Sequence, residues 1–275
     1  MKRLLSIRIL VLISAVLLLL PLHLFGQERT LEELRKEILE RAQQNRHPIS
    51  EVKVEDVKLL LSRLTSKDPD VWAREWIRVA EPYEKKGDEL FQAGMKKEAL
   101  EAYYQAYRYY YLGRWPLVNS QGTKEAYQKA IRTFLAAGRL SDPPLEQVKI
   151  PFEGKQIVGY LRVPKGIAKP PVVFHWGGID AWKEDLRDNV EGYLEAGWSS
   201  FIIDIPGTGE NPILATPDAE KLFSKVMDYL QTRPEVNANC MAIQGSSWGG
   251  YWAAKLAYTE RKRLKLGMSI GRCYL

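Results

Sequence analysis

The sequence predicts an α/β protein, a parallel sheet with helices on both faces, preceded by an all-α helical domain. From Thr30 to about Leu140, apolar residues recur at helical spacing. From Leu145 onward, short apolar runs alternate with amphipathic stretches, the pattern of strands separated by crossover helices. Between them, Ser141-Asp142-Pro143-Pro144 breaks both periods and divides a helical domain, residues 28–142, from a core, residues 146–275.

The chain's 275 residues, 45% hydrophobic and 27% charged, suit one large domain or a medium one with a smaller attachment. Of the +6 net charge, Lys2, Arg3 and Arg8 supply +3 before the first acid, Glu28, leaving +3 for the remainder. That is too little to mark a nucleic-acid partner, and none is expected. The cluster Arg261-Lys262-Arg263 with Lys265 has no aromatic residues interleaved and reads as a solvated helix end.

Residues 1–26 have the order of a secretory signal peptide: basic residues, an apolar run from Ile9 to Leu20, then Pro21 and a short tail. The run is shorter than the roughly 20 residues of a comfortable membrane span. An uncleaved anchor is the competing reading, because Leu24 is not the small residue preferred at −3 to a cut after Gly26. The expected location is secreted or periplasmic, with membrane contact only through an uncleaved segment. Cys240 and Cys273 sit in apolar runs without metal-ligand spacing and read as buried free thiols; pairing in an oxidising compartment stays open.

In the helical region, Leu31, Leu34 and Ile38 form one apolar face, with Thr30 as N-cap and Glu33 three residues on. Helical stretches follow in SEVKVEDVKLLLSRL and DPDVWAREWIRVAEPY. Gly87, Gly94 and the Ala99–Tyr103–Ala106 spacing then make a helix–turn–helix like one tetratricopeptide unit. No second copy recurs at a period near 34, so an accessory helical domain is expected rather than a solenoid. The tyrosines at 103, 104, 107, 109, 110 and 111 read as packing surface between helices or domains; the sharper reading has some rings lining a substrate pocket.

The core opens with a hairpin around Glu153-Gly154. Strands are expected at Pro171–Phe174, Ser199–Ile205, Cys240–Gln244 and Leu264–Ile270, with helices at Lys183–Ala196, Asp218–Gln231 and Trp248–Tyr258.

Gly245-Ser246-Ser247-Trp248-Gly249 joins a strand to a helix and has the form Gly-x-Ser-x-Gly around Ser247. A serine hydroxyl must be aimed and deprotonated before it attacks a carbonyl. A turn this tight does the aiming, and it tolerates no bulk at the positions two before and two after the serine. Gly245 and Gly249 meet that demand for Ser247, whereas Gln244 and Trp248 flank Ser246, so Ser246 is in the wrong frame. After an earlier strand comes His175-Trp176-Gly177-Gly178-Ile179-Asp180. An amide of Gly178 or Ile179, paired with that of Trp248, would form an oxyanion hole. His175 is a tempting base but reads as a residue that orients the loop.

His-x-Gly-Gly, then IIDIPGTGE, then Gly-x-Ser-x-Gly-Gly resemble the α/β-hydrolase superfamily. With the helical extension, residues from about Lys85 to Leu275 resemble the branch of the fermentation/respiration-switch esterase and 2,6-dihydroxypseudooxynicotine hydrolase. The resemblance implies a serine hydrolase with a Ser–His–Asp triad and a helical domain capping the site. It makes Ser247 the nucleophile and Ile179 and Trp248 the hole donors, and gives Asp204 and Gly207 a part in shaping the site. It implies esterase-like acyl-bond hydrolysis of a small-molecule substrate, and leaves bond type and oligomeric state open; no cofactor or metal is expected, since the sequence has no metal-ligand cluster, phosphate-binding loop or dinucleotide fingerprint.

In that family the acid and then the histidine follow the nucleophile. Here the histidines are His23, His47 and His175, all before Ser247, so the core reads as an incomplete α/β-hydrolase core lacking the expected Asp and His. Three readings compete: a fragment, a non-catalytic binding or interaction protein using the helical domain, or catalysis with a substitute base. The first is favoured, and these residues alone are expected to be inactive or severely impaired.

Overall fold

The computed structural model describes residues 29–270 and divides after Lys67 into two compact units. The proposed signal segment and Cys273 lie outside the described residues. In the first unit the expected cap opens the chain: Thr30 Oγ1 accepts the Glu33 N–H at 3.2 Å, and the Glu33 carboxylate accepts the Thr30 N–H at 2.8 Å. Helix α1 (Leu31–Gln43) follows and buries Ile38 and Ala42; α2 (Val54–Arg63) packs on it and buries Val57, Leu60 and Leu61.

The second unit begins with three mutually packed helices, α3 (Pro69–Gln92), α4 (Lys96–Arg114) and α5 (Gln121–Leu140). Asp68 caps α3, accepting the amides of Asp70 and Val71. The helix runs unbroken through Pro82, so two stretches that the sequence separates form one element of 24 residues. The helical hairpin read from the glycines is α3–Gly94–α4, with Gly94 at φ 78°. At Gly87 a side chain would strike the ring of Tyr103, so the glycine lets the two helices close. Five of the six clustered tyrosines are buried; Tyr109 stacks on Trp76, and Tyr103 and Tyr110 hydrogen-bond Asp88 and Glu84. Tyr104 lines a cleft against the sheet with Phe134, Tyr160 and Ser200.

The sheet has the order β1-β2-β4-β3-β5-β6. Strands β1 (Glu146–Phe152) and β2 (Lys155–Arg162) form the expected antiparallel hairpin, and β2 lies antiparallel to β4 (Ser199–Ile203). Strands β4, β3 (Pro171–Trp176), β5 (Asn237–Ser246) and β6 (Leu264–Ile270) run parallel. The sheet is thus mixed, with its parallel part where the α/β alternation places it.

Side-chain alternation sorts the two faces. Val172, Phe174 and Trp176 of β3 join Phe201, Ile203, Met241 and Ile243 in a core closed by α7 (Glu220–Gln231) and α8 (Trp248–Thr259). His175 and Ser200 point to the other face, where the His175 ring meets Tyr193 of α6 (Arg187–Glu195). The helix expected over Lys183–Ala196 is in fact a 3-10 turn, Lys183–Leu186, followed by α6. Cys240 is half-buried on β5 rather than buried. Arg263 pairs with Glu260 and Asp228 beyond α8, while Arg261 and Lys262 are exposed, as a solvated helix end should be.

The boundary at residues 142–146 separates helices from sheet but not compact units, because α3–α5 belong to the same unit as the sheet. Phe134 stacks on Tyr160 of β2, and Arg108 of α4 pairs with Asp185 at 2.9 Å. Among the described residues no helix is long and apolar enough to cross a membrane.

Candidate active site

Strand β5 ends at Ser246 and α8 begins at Trp248, so Ser247 alone makes the turn. Its backbone sits at φ 53°, ψ −127°. Positive φ is unfavourable for a residue with a Cβ, and strain of this kind costs about 1–3 kcal/mol. The Ser247 side chain is exposed and makes no capping bond to the helix that it starts. Strain, exposure and a hydroxyl that does not cap the helix together are what a helix start would not need and an attacking group would.

The flanking glycines are required by contact. A side chain at Gly249 would collide with the carbonyl oxygen of Gly177, and one at Gly245 with the carbonyl oxygen of Gly249. Trp176 Nε1 donates to that same Gly249 oxygen at 2.8 Å, tying the end of β3 to the turn. A Cβ placed on Gly178 would lie 2.8 Å from Ser247 Cβ and 3.2 Å from its Oγ. The two glycine motifs, about 70 residues apart in sequence, therefore meet with Gly178 against Ser247.

Trp248 is the first residue of α8, so its N–H has no partner within the helix and lies at the positive end of the helix dipole. Trp248 is 47% exposed, and its indole stacks on Tyr251. Ile179, 57% exposed, stands at the tip of the loop after β3. This end of the parallel strands is where open α/β sheets bind ligands.

His175 is elsewhere. It is buried on β3, its Nε2 2.7 Å from Ser200 Oγ, and burial alone lowers its pKa to about 3. It is neutral at ordinary pH and engaged on the sheet face that carries α6.

Asp204 is buried and fully engaged by its neighbours. Its Oδ1 accepts the Lys183 amide at 2.9 Å, and its Oδ2 accepts Lys183 Nζ at 2.7 Å and the Glu210 amide at 2.9 Å. A side chain at Gly209 would overlap the Asp204 carboxylate, so Gly209 completes the tight wrap; Gly207 sits exposed at φ 87°. Lys183 Nζ also lies 2.8 Å from Glu184 Oε1 and from Glu210 Oε2. Three carboxylates thus converge on one ammonium. Burial opposes the charge on Lys183, but Asp204 and Glu184 outweigh it and hold its pKa well above the usual lysine value. Burial raises the pKa of Glu184, which also accepts the Tyr160 hydroxyl at 2.7 Å.

The sequence does not announce this cluster. Lys183 and Glu184 look like the first polar turn of a surface helix, and only the tertiary fold buries them. Arg114 and Trp182, which hold the loop after β3 together with Tyr111 of the tyrosine cluster, are equally silent.

A family model described as esterase FrsA-like matches residues 38–274. The hydrolyase poxO of Penicillium oxalicum is 29% identical over 237 residues, covering 78% of this chain and 55% of its own. The alpha/beta hydrolase xenA of Xenoacremonium sinensis is 31% identical, covering 76% and 53%. The esterase FrsA of Photobacterium profundum is 26% identical, covering 77% and 51%. The chain spans about half the length of the curated relatives it matches. Among solved structures, 2,6-dihydroxy-pseudo-oxynicotine hydrolase superposes with a TM-score of 0.70 at 24% identity, covering 79% of this chain and 61% of that one. That likeness shows the fold.

Proposed function

The chain belongs to the FrsA-like esterase family of α/β hydrolases, and from that premise we propose that Ser247 is the nucleophile of an acyl-bond hydrolysis. The strained, exposed, uncapped backbone of Ser247 between β5 and α8 carries the reading. In the proposed step Ser247 Oγ bonds to the carbonyl carbon of a small ester as its proton passes to solvent water. The carbonyl oxygen takes the charge and is held by the amides of Trp248 and of Ile179 or Gly178. Collapse expels the alcohol, and water later cleaves the acyl-serine.

The residues in hand supply the nucleophile and the hole but not a base at Ser247. His175 is bonded to Ser200 and the triad acid and histidine expected after Ser247 do not occur in the 275 residues. Turnover by these residues alone is therefore low, at the level that a hole and binding sustain without a triad. Secretion or periplasmic export, from the pattern of residues 1–26, is part of the same proposal.

p-Nitrophenyl acetate tests it. The expected result is slow release of up to one equivalent of p-nitrophenolate per chain, followed by little turnover, with the release lost in Ser247→Ala. Release that survives Ser247→Ala refutes the nucleophile. Rapid turnover that vanishes in Ser247→Ala refutes the impairment instead.

A further inference from the structure

The loop from Gly177 to Trp182 carries the proposed hole amides, and the helical layer holds it from behind. The Asp180 carbonyl accepts Arg114 Nη2 at 3.0 Å and the Tyr111 hydroxyl at 3.3 Å. That hydroxyl in turn accepts the Trp182 amide at 3.2 Å, and Trp182 Nε1 donates to the Ile179 carbonyl at 2.9 Å. The Arg114 guanidinium lies between two rings, 4.0 Å from the centre of Tyr111 and 3.7 Å from that of Trp182. Tyr127 of α5 closes on the edge of Trp182 at 4.7 Å. The loop also doubles back, since a side chain at Gly177 would strike the Ala181 carbonyl.

Arg114 is fully buried, and its Nε and Nη1 have no hydrogen-bond partner among the described residues. A buried cation with one carbonyl partner opposes stability, and two aromatic faces offset only part of that. An apolar side chain would fill the space at less cost. What arginine does here, and an apolar residue cannot, is approach two ring faces while presenting an N–H to the Asp180 carbonyl.

We propose that Tyr111 and Arg114 of α4, with Trp182, are positioning residues that fix the oxyanion loop of the hydrolase site. This inference rests on Ser247 being the nucleophile. Holding the Ile179 and Asp180 carbonyls fixes the peptide planes on both sides of Asp180. The adjoining Gly178–Ile179 plane, whose N–H belongs to the hole, is thereby held against Ser247. Helices outside the sheet thus set the reactivity of a serine that they do not touch.

The test uses the full 275-residue chain and an alkyl fluorophosphonate, which bonds phosphorus to Ser247 Oγ and expels fluoride, with the serine proton passing to solvent. Rate constant, apparent affinity and final stoichiometry are measured separately. Tyr111→Phe keeps the ring over Arg114 and removes only the hydroxyl. It should slow phosphonylation roughly tenfold, with affinity and stoichiometry unchanged, since sub-ångström misplacement acts on the rate. Arg114→Ala should slow it further, with added guanidinium ion restoring part of the rate. A purely structural role would lower the stoichiometry and leave the rate constant of the folded fraction alone. Should Arg114→Ala not fold, Tyr111→Phe decides the matter. Tyr111→Phe reacting at the wild-type rate overturns the inference and leaves Ser247 untouched. A wild-type chain that is not labelled overturns the nucleophile and the inference with it.

Discussion

Lowering the pH from 7 to 5 should weaken the larger unit through His175. Burial holds its pKa at about 3, against 6.5 for the exposed ring. Between those values the unfolded chain binds a proton that the folded chain refuses, so stability falls as pH falls through that window. Each pH unit well below 6.5 costs about 1.4 kcal/mol, so the drop from pH 7 to pH 5 costs about 2 kcal/mol. The full shift is worth roughly 5 kcal/mol at its lower end. Glu184 works the other way, because burial raises its pKa and the folded state then favours its protonation. Comparison with His175→Gln removes Glu184 from the balance, since both proteins contain it, and glutamine can still donate to Ser200. Urea unfolding followed by tryptophan fluorescence reads the correct unit, because all eight tryptophans lie between Trp72 and Trp252. The wild-type unfolding free energy should fall by about 2 kcal/mol more than that of His175→Gln over this range. Equal losses in the two proteins would refute a buried neutral histidine, and with it the reason for ruling His175 out as the base.

Two further substitutions probe the site's supports. Ser247→Gly should stabilise the larger unit by about 1 kcal/mol, because the strain that serine carries at positive φ exceeds the chain entropy that glycine adds to the unfolded state; a lowered urea midpoint would show that the turn stores less strain than that. Lys183→Met leaves Asp204 and Glu184 buried without their cation and should cost about 3–5 kcal/mol, seen as a lower melting temperature; a loss below about 1 kcal/mol would show the cluster to be solvated.

How far the fold was legible depended on what decides each element. Thr30 and Glu33 were readable because a capping box is local chemistry, and the Glu153-Gly154 hairpin because its turn residues sit between alternating strands. Gly245, Ser247 and Gly249 were readable because tight sterics leave few residue choices at a strand–turn–helix junction. Gly178 was placed in the site by its glycine pair alone, and the structure sets it against Ser247. The division of α3 into two helical stretches did not hold, because one helix packs on α4 and α5 and runs through Pro82. The compact-unit boundary at Lys67 was invisible, because α2 and α3 share one helical period and only contacts distinguish their partners. Lys183, Glu184 and Arg114 were missed for a related reason. Charged residues read as surface by default, and burial with partners distant in sequence leaves no local trace. Asp204 was assigned a part in shaping the site by motif, and the bonds it accepts from Lys183 and the Glu210 amide, with partners distant in sequence, left no local trace.

The helical layer and the sheet share one unit, and their contacts reach the loop beside Ser247 through Tyr111 and Arg114. Substitutions in α4 should therefore be judged by serine reactivity as well as by stability.

The central claim is that Ser247 is built to attack. Its most direct test is peptide mapping by mass spectrometry after exposure of the folded chain to a fluorophosphonate. The account predicts one adduct per chain, on the peptide containing Ser247, absent from Ser247→Ala and retained in Ser246→Ala. An adduct on Ser246, or one that persists in Ser247→Ala, would contradict it.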